Sequence, residues 1–296
     1  MNHLTQKGDC DYKEIIASPE RVSEITKEDI LSLLDKIKEK IKKEKPLLKL
    51  RSKKSLFVGD THGDFNATMR IVKRFLDDKS IHKIIFIGDF VDRGPRQLEN
   101  VNFLFMLKLC FPNKVYLLRG NHETTLANST YGFKTELMKK RLDELYSRYN
   151  EIFAMLPTAA IINRDVFVVH GGIASELMEK SVNSINKLPR DDVTGTEPML
   201  LELLWNDPRE DVKGFVPSMR GPGIFYFGRD VFEKFMEKNK FKLMIRAHEV
   251  FPEGYNYYFD KKLLSLFTSI EYVGMYIKAK VATVTKELKV ELIDLV

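Results

Sequence analysis

Ser55-Leu56-Phe57-Val58-Gly59-Asp60-Thr61-His62-Gly63-Asp64 is a short β-prone run that stops at a glycine and delivers an aspartate and, two residues on, a histidine. Four more runs also end in metal-capable side chains. Ile84–Ile87 leads into Gly88-Asp89-Phe90-Val91-Asp92-Arg93-Gly94, and Val115–Leu118 into Arg119-Gly120-Asn121-His122-Glu123. Val166–Val169 leads into His170-Gly171-Gly172, and Leu243–Ile245 into Arg246-Ala247-His248-Glu249. Segments of helical periodicity separate the runs, which together read as an α/β architecture. In an open α/β sheet the carboxyl ends of the strands share one crevice, so residues this far apart in the chain can meet at a single place.

Outward from these runs, the apolar spacing of Leu137, Leu142, Leu145, Tyr149, Ile152 and Leu156 predicts one helix over 133–156, closed by Pro157. Thr26 and Asp29 can form a capping box for an amphipathic helix whose apolar face is Ile30, Leu34, Ile37 and Ile41. Residues 1–25 read as a flexible lead-in, 186–198 and 206–223 as long loops, and the tail from 273 as strands. A single catalytic domain over 26–296 is therefore expected.

The formal charge of +6 is local: residues 35–54 carry ten Lys or Arg against Asp35, Glu39 and Glu44, leaving the rest of the 296 residues near neutrality. That run reads first as the solvated face of the amphipathic helix and second as an anionic docking surface; neither nucleic acid nor a membrane is expected as a partner. No apolar run is long enough to span a bilayer, and the opening is polar, so the protein reads as soluble and cytoplasmic. Cys10 and Cys110 then read as reduced thiols, which leaves any metal to His, Asp and Asn. His3 and His82 stand apart from the strand ends and read as structural or surface residues.

Asp60, His62, Asp89, Asn121, His170 and His248 exceed what one tetrahedral ion needs. Two divalent ions about 3.5–4 Å apart would use them, with one carboxylate as bridge, and would clamp both oxygens of an in-line displacement at phosphorus. Oxygen and nitrogen donors suit manganese first, with iron or zinc also fitting. Arg93 and Arg220 are placed to neutralise phosphate oxygens. His122 can protonate the leaving oxygen with Asp92 orienting it; the alternative makes it a seventh ligand or a packing residue.

These segments resemble the signatures of the phosphoprotein phosphatase family of serine/threonine phosphatases. GDTHGD, GDFVDRG, LRGNHE, HGG and RAHE carry the resemblance, with YGF at 131–133, LLW-x-DP at 203–208 and FYFG at 225–228 looking like type 1/type 2A catalytic subunits. It covers roughly residues 25–285. The resemblance implies two mixed sheets flanked by helices, with Asp60, His62 and Asp89 on one metal and Asp89, Asn121, His170 and His248 on the other. It also implies His122 as general acid supported by Asp92. Arg93, Asn121 and Arg220 would bind phosphate, Asp207 and Tyr272 would line the site, and phosphorylated proteins would be the substrates.

Two departures stand out. The family's usual Pro-Asn-Tyr-Cys at the overhanging loop is here Ile270-Glu271-Tyr272-Val273, and Asp64 replaces a glutamine after the first His-Gly. The lost cysteine implies no covalent toxin linkage, and Asp64 implies a changed polarity at the site rim. Regulatory partners are not legible. The closest alternative function is a nucleotide or dinucleoside polyphosphate hydrolase of the same metal chemistry; a non-catalytic anion-binding module using the basic helix is a further one.

Overall fold

The computed structural model describes residues 11–295. Two mixed sheets stack face to face. The first contains β2 (Lys54–Val58), β3 (Lys83–Phe86) and β4 (Val115–Leu117), all parallel, and is completed beyond β2 by Lys280–Thr285, antiparallel to β2, and Val290–Asp294, antiparallel to Lys280–Thr285. The second has the order β1 (Leu47–Leu50), β5 (Ala159–Ile162), β6 (Val166–Val169), Leu243–Arg246, Leu263–Leu266 and Tyr255–Tyr258.

Strand alternation decides which residues fill which layer. Phe57, Ile85 and Tyr116 of the first sheet point inward and meet Ala160, Val168, Ile245 and Leu264 of the second. Their neighbours Leu56, Val58, Ile84, Phe86 and Leu117 point outward and are covered by helices α2 (Lys27–Ile41), α3 (Phe65–Asp77) and α4 (Gln97–Cys110). On the far side Phe167, Val169 and Met244 are covered by Leu200, Phe232 and Phe235 from two more helices. The expected α/β class holds, but the five metal-bearing strand ends come from both sheets and not from one.

The sheets converge at the site. Asp60 and Phe267 form an isolated parallel bridge, and the Gly59 N–H donates to Thr268 Oγ1 at 2.8 Å. A Cβ on Gly59 would sit 2.4 Å from the Leu266 carbonyl oxygen, so only glycine permits this approach.

The capping box forms as expected: Thr26 Oγ1 accepts from the Asp29 N–H at 3.1 Å, and Asp29 Oδ2 accepts from the Thr26 N–H at 2.9 Å. Ile30, Leu34, Ile37 and Ile41 are buried, and Lys38 on the other face pairs with Glu151 at 2.7 Å.

Four expectations need correction. The single helix over 133–156 is two, Phe133–Lys139 and Tyr146–Met155, with a 3-10 turn between them. Arg141 at φ +56° ends the first, and the Leu142 N–H reaches back to the Leu137 carbonyl at 2.8 Å. This is a Schellman-type stop with arginine where glycine is the usual signal, so the apolar spacing ran straight through it. From residue 11 the lead-in is helical: Lys13–Ala17 and a 3-10 turn at Pro19–Glu24 bury Ile16 and Val22 against the helical layer. The loop at 206–223 contains strands Asp207–Pro208 and Phe215–Pro217, which flank Phe225–Phe227 in a small sheet too short to show a period. Finally, Cys110 is disulfide-bonded and not a free thiol. The N-terminal helical segment packs on α4, the helix that ends in Cys110, a tertiary contact the sequence does not display. Cys10 and His3 lie outside the described residues; His82 is exposed, as expected of a surface residue.

Candidate metal centre

All six proposed ligands are between 0 and 7% exposed, so the cluster is shielded from bulk water. His62, Asp89 and His248 hold positive φ angles of +43°, +54° and +75°, as do Asp92 and Arg93 at +68° and +69°. Three of the five strand ends therefore turn through a left-handed kink that aims a polar side chain into the cluster. Such backbone is costly for non-glycine residues and persists where surrounding bonds enforce it. Here the Asp89 carbonyl accepts from the N–H groups of Thr61 and His62, and Asn100 Nδ2 bonds Thr61 Oγ1 and the Phe90 carbonyl.

Asp89 is the centre. Its ligand oxygens fall in two groups whose donor atoms lie within 4.8 Å of one another, one with His62 and His122, the other with His170 and His248. Asp60 adjoins both sides, 4.0 Å from His62 Nε2 and 3.9 Å from His170 Nδ1, while its Oδ1 accepts from the His248 N–H.

Hydrogen bonds fix which ring nitrogens carry lone pairs. His62 Nδ1 lies 2.9 Å from the Val91 carbonyl and His170 Nδ1 lies 2.9 Å from the Ile87 carbonyl. A carbonyl only accepts, so both rings are protonated at Nδ1 and turn Nε2 inward. His170 Nε2 then faces Asn121 Oδ1 at 2.8 Å, His248 Nδ1 at 3.2 Å and Asp89 Oδ1 at 3.3 Å. These four atoms meet in one small buried space, where a divalent cation in place of the ring protons could be held by all of them, and the donor set of imidazole, carboxylate and amide oxygen fits manganese, iron or zinc.

The electrostatics agree. Burial, with Asp89 beside it, pushes Asp60 up to about 7, a carboxyl that needs positive charge nearby to ionise. Burial and the neighbouring His122 lower His62 to about 3; burial, then Arg220, holds His248 well below the ordinary imidazole range. Both rings are thus neutral and available as ligands. Burial alone would raise Asp89, but His170 and His122 outweigh it and keep it ionised; burial lowers His170 in turn, but Asp89 more than reverses this, so a bound cation would take the place of the His170 Nε2 proton.

His122 sits beside this cluster, with its ring 4.7 Å from that of His62. Its Nδ1 is 2.5 Å from Asp92 Oδ2, and Asp92 Oδ1 in turn accepts from the Phe133 N–H at 2.8 Å. Burial lowers the His122 pKa, but Asp89 and Asp92 more than reverse this. The charged form of the imidazole is thereby favoured, and its Nε2 lies 3.9 Å from Asp89 Oδ2.

At the rim Arg93 is exposed and stacks over the Tyr131 ring at 4.0 Å. Tyr272 lies with its ring 5.0 Å from that of His62, and burial pushes its phenol up to about 12, so it is a neutral hydroxyl. Arg220 Nε is 2.5 Å from Asp207 Oδ2, while Asp207 Oδ1 pairs with Arg246 at 2.8 Å. Asp207 is fully buried between two arginines. It corrects the expectation that this carboxylate lines the substrate face: its geometry is that of a positioning residue for Arg220.

Three participants escaped the sequence reading. Buried Glu123 accepts from the N–H groups of Asp89, Phe90 and Gly120 at 2.7–2.9 Å, and burial with Asp89 nearby pushes it up to about 7. Arg246 braces Gly171, Asp207 and Glu249, and Tyr131 backs both Arg93 and His122. The signal for Glu123 was present: strand-end turns strip backbone N–H groups of partners, and a buried carboxylate two residues from Asn121 is an acceptor for them. The two departures from the family pattern meet each other, since Asp64 caps α3 through the Ala67 N–H and also accepts from the Ile270 N–H at 2.7 Å.

The family described as calcineurin-like phosphoesterase matches residues 53–252. A catalytic chain of protein phosphatase 2A from Dictyostelium discoideum is 37% identical over 244 residues, 82% of this chain and 77% of that one. A probable serine/threonine-protein phosphatase of Encephalitozoon cuniculi is 36% identical over 74% of this chain, and a putative one of Caenorhabditis elegans 35% identical over 90%. The chain spans 47% and 59% of the lengths of those two relatives. Among solved structures, a protein serine/threonine phosphatase from Saccharomyces cerevisiae superposes with a TM-score of 0.82 at 28% identity, covering 92% of this chain and 91% of that one. With the family match spanning well over half of it, the chain belongs to the calcineurin-like phosphoesterases and, within them, to the phosphoprotein phosphatases.

Proposed function

We propose that this chain is a metal-dependent phosphatase that hydrolyses phosphoserine and phosphothreonine in proteins. The observation that carries the proposal is the convergence of lone pairs from His170, Asn121, His248 and Asp89 beside a second group built on His62 and the same Asp89. Two divalent ions bound there, manganese first and iron or zinc alternatively, would supply a nucleophilic water and neutralise phosphoryl charge.

The protein supplies the rest. His122 donates a proton from Nε2 to the departing serine or threonine oxygen, and Asp92 holds its ring in line and charged. Arg93 and Arg220 bind phosphate oxygens from the rim, with Asp207 aiming Arg220 and Asn121 reaching the phosphate from below. Tyr272 closes the top beside His62. Likeness to relatives named as serine/threonine phosphatases supports a protein substrate over a nucleotide one. A phosphothreonine peptide and diadenosine tetraphosphate, offered to chelator-stripped protein reloaded with manganese, separate the two. The peptide should be turned over faster; cleavage of the dinucleotide to mononucleotides with no phosphate released from the peptide would overturn the proposal.

A further inference from the structure

The basic run noted in the sequence is only partly used by α2. Its far end, Lys49 and Arg51, lines a cavity of about 690 Å³ together with Arg164 and Lys286, over a floor that includes Ile161 and Phe241. The cavity lies at the end of the β5–β6 hairpin away from His170, so it belongs to another face than the metal centre. All four cations are exposed, and none pairs with an acid among the described residues. The neighbouring Asp165 is already paired with Lys242 at 2.9 Å. Arg164 is held at φ +72°, and Asn163 clamps the two cationic segments together by accepting from the Ser52 N–H and donating to the Ser52 carbonyl. Like charges are thus gathered on a concave surface by a built hydrogen-bond pair, and such a surface concentrates anions.

The backbone adds a second element. β1 is an edge strand, with β5 on one side and no strand on the other among the described residues; Asn186 Oδ1 already accepts from the Leu47 N–H on that side, so the open stretch of edge begins at Lys49. The Pro46 and Leu50 carbonyls accept from Ala159 and Asn163 of the β5 side, at 3.1 and 2.9 Å. Alternation then turns the N–H and C=O of Lys49 outward. We propose that this cavity is a docking site for an acidic, extended peptide segment of a partner or substrate protein, which adds as a strand beside Lys49 and places carboxylates against Lys49, Arg51, Arg164 and Lys286. The site is independent of the catalytic reading.

The test uses the full chain and a fluorescein-labelled octapeptide with glutamate alternating with valine, followed by fluorescence anisotropy at low salt. The acidic peptide should bind, and its lysine counterpart should not. Arg51→Glu combined with Arg164→Glu should weaken binding at least about tenfold while hydrolysis of p-nitrophenyl phosphate is unchanged; Lys286→Glu alone, at an exposed site, should weaken it to a smaller extent. N-methylation of the central peptide amides should also weaken binding, because it blocks strand pairing. Equal affinity for the lysine peptide, unaltered binding by the reversed-charge variants, indifference to N-methylation, or tighter binding of oligothymidylate would each overturn the proposal.

Discussion

The metal cluster and the rim that overhangs it are a few ångströms apart and are built on opposite principles. The cluster is buried, its ring tautomers are set by backbone carbonyls, and its carboxylate centre is braced by Glu123. The rim rests on exposed side chains: Arg93 on Tyr131, and the hairpin Glu271–Tyr272/Met275–Tyr276 with Val273 62% exposed at its tip. Chemistry that must not vary is locked into strand ends, while recognition is left to loops that can change. Both departures from the family's motifs, at Asp64 and at 270–273, fall on the rim side of that division.

Substitutions ordered by expected effect probe this contrast. Asp89→Asn removes the one carboxylate common to both donor groups; metal content should fall to background by elemental analysis, and activity with it. A variant that kept two ions would break the account of Asp89 as bridge. His122→Asn should lower kcat by about 100-fold or more, with metal content intact. If the metals left with it, His122 would be a ligand instead.

Glu123→Gln keeps the size of a side chain that accepts three backbone N–H bonds but turns a donor toward one of them. Metal affinity should drop by about 10–100-fold, readable by titration with a metal-buffered series. Arg93→Ala should lower kcat/KM for a phosphopeptide by about tenfold, in keeping with a lost charge-assisted hydrogen bond, and should weaken inhibition by free phosphate without changing metal content. At the small end, Val273 is a β-branched residue at φ +49° in the turn of the rim hairpin, where asparagine is far better suited. Val273→Asn should raise stability by about 1 kcal/mol in urea unfolding and leave metal content untouched. A loss of metal there would tie the rim to the cluster more closely than the contacts suggest.

The buried side of this comparison was also the legible side. Each ligand announced itself because an apolar run ended in Asp, His or Asn, in most cases beside a glycine, a pattern that strand geometry translates directly into a shared edge. The stacking of two sheets was not legible from periodicity, since Phe57 and Ile85 alternate in the same way whether one sheet or two lies beneath them. Arg141 hid a helix end because it occupies the left-handed position without glycine, and the strands at 207–208 and 215–217 are too short to carry a period. Asp207 read as a site group because its motif says nothing about burial; only the fold shows it pinned between Arg220 and Arg246.

The metal centre proposed for this chain is a pair of ions sharing Asp89. Anomalous scattering from crystals grown with manganese tests it most directly. Two peaks about 3.5–4 Å apart, both in contact with the Asp89 carboxylate, are the expected result. A single peak, or two that do not share Asp89, would contradict it.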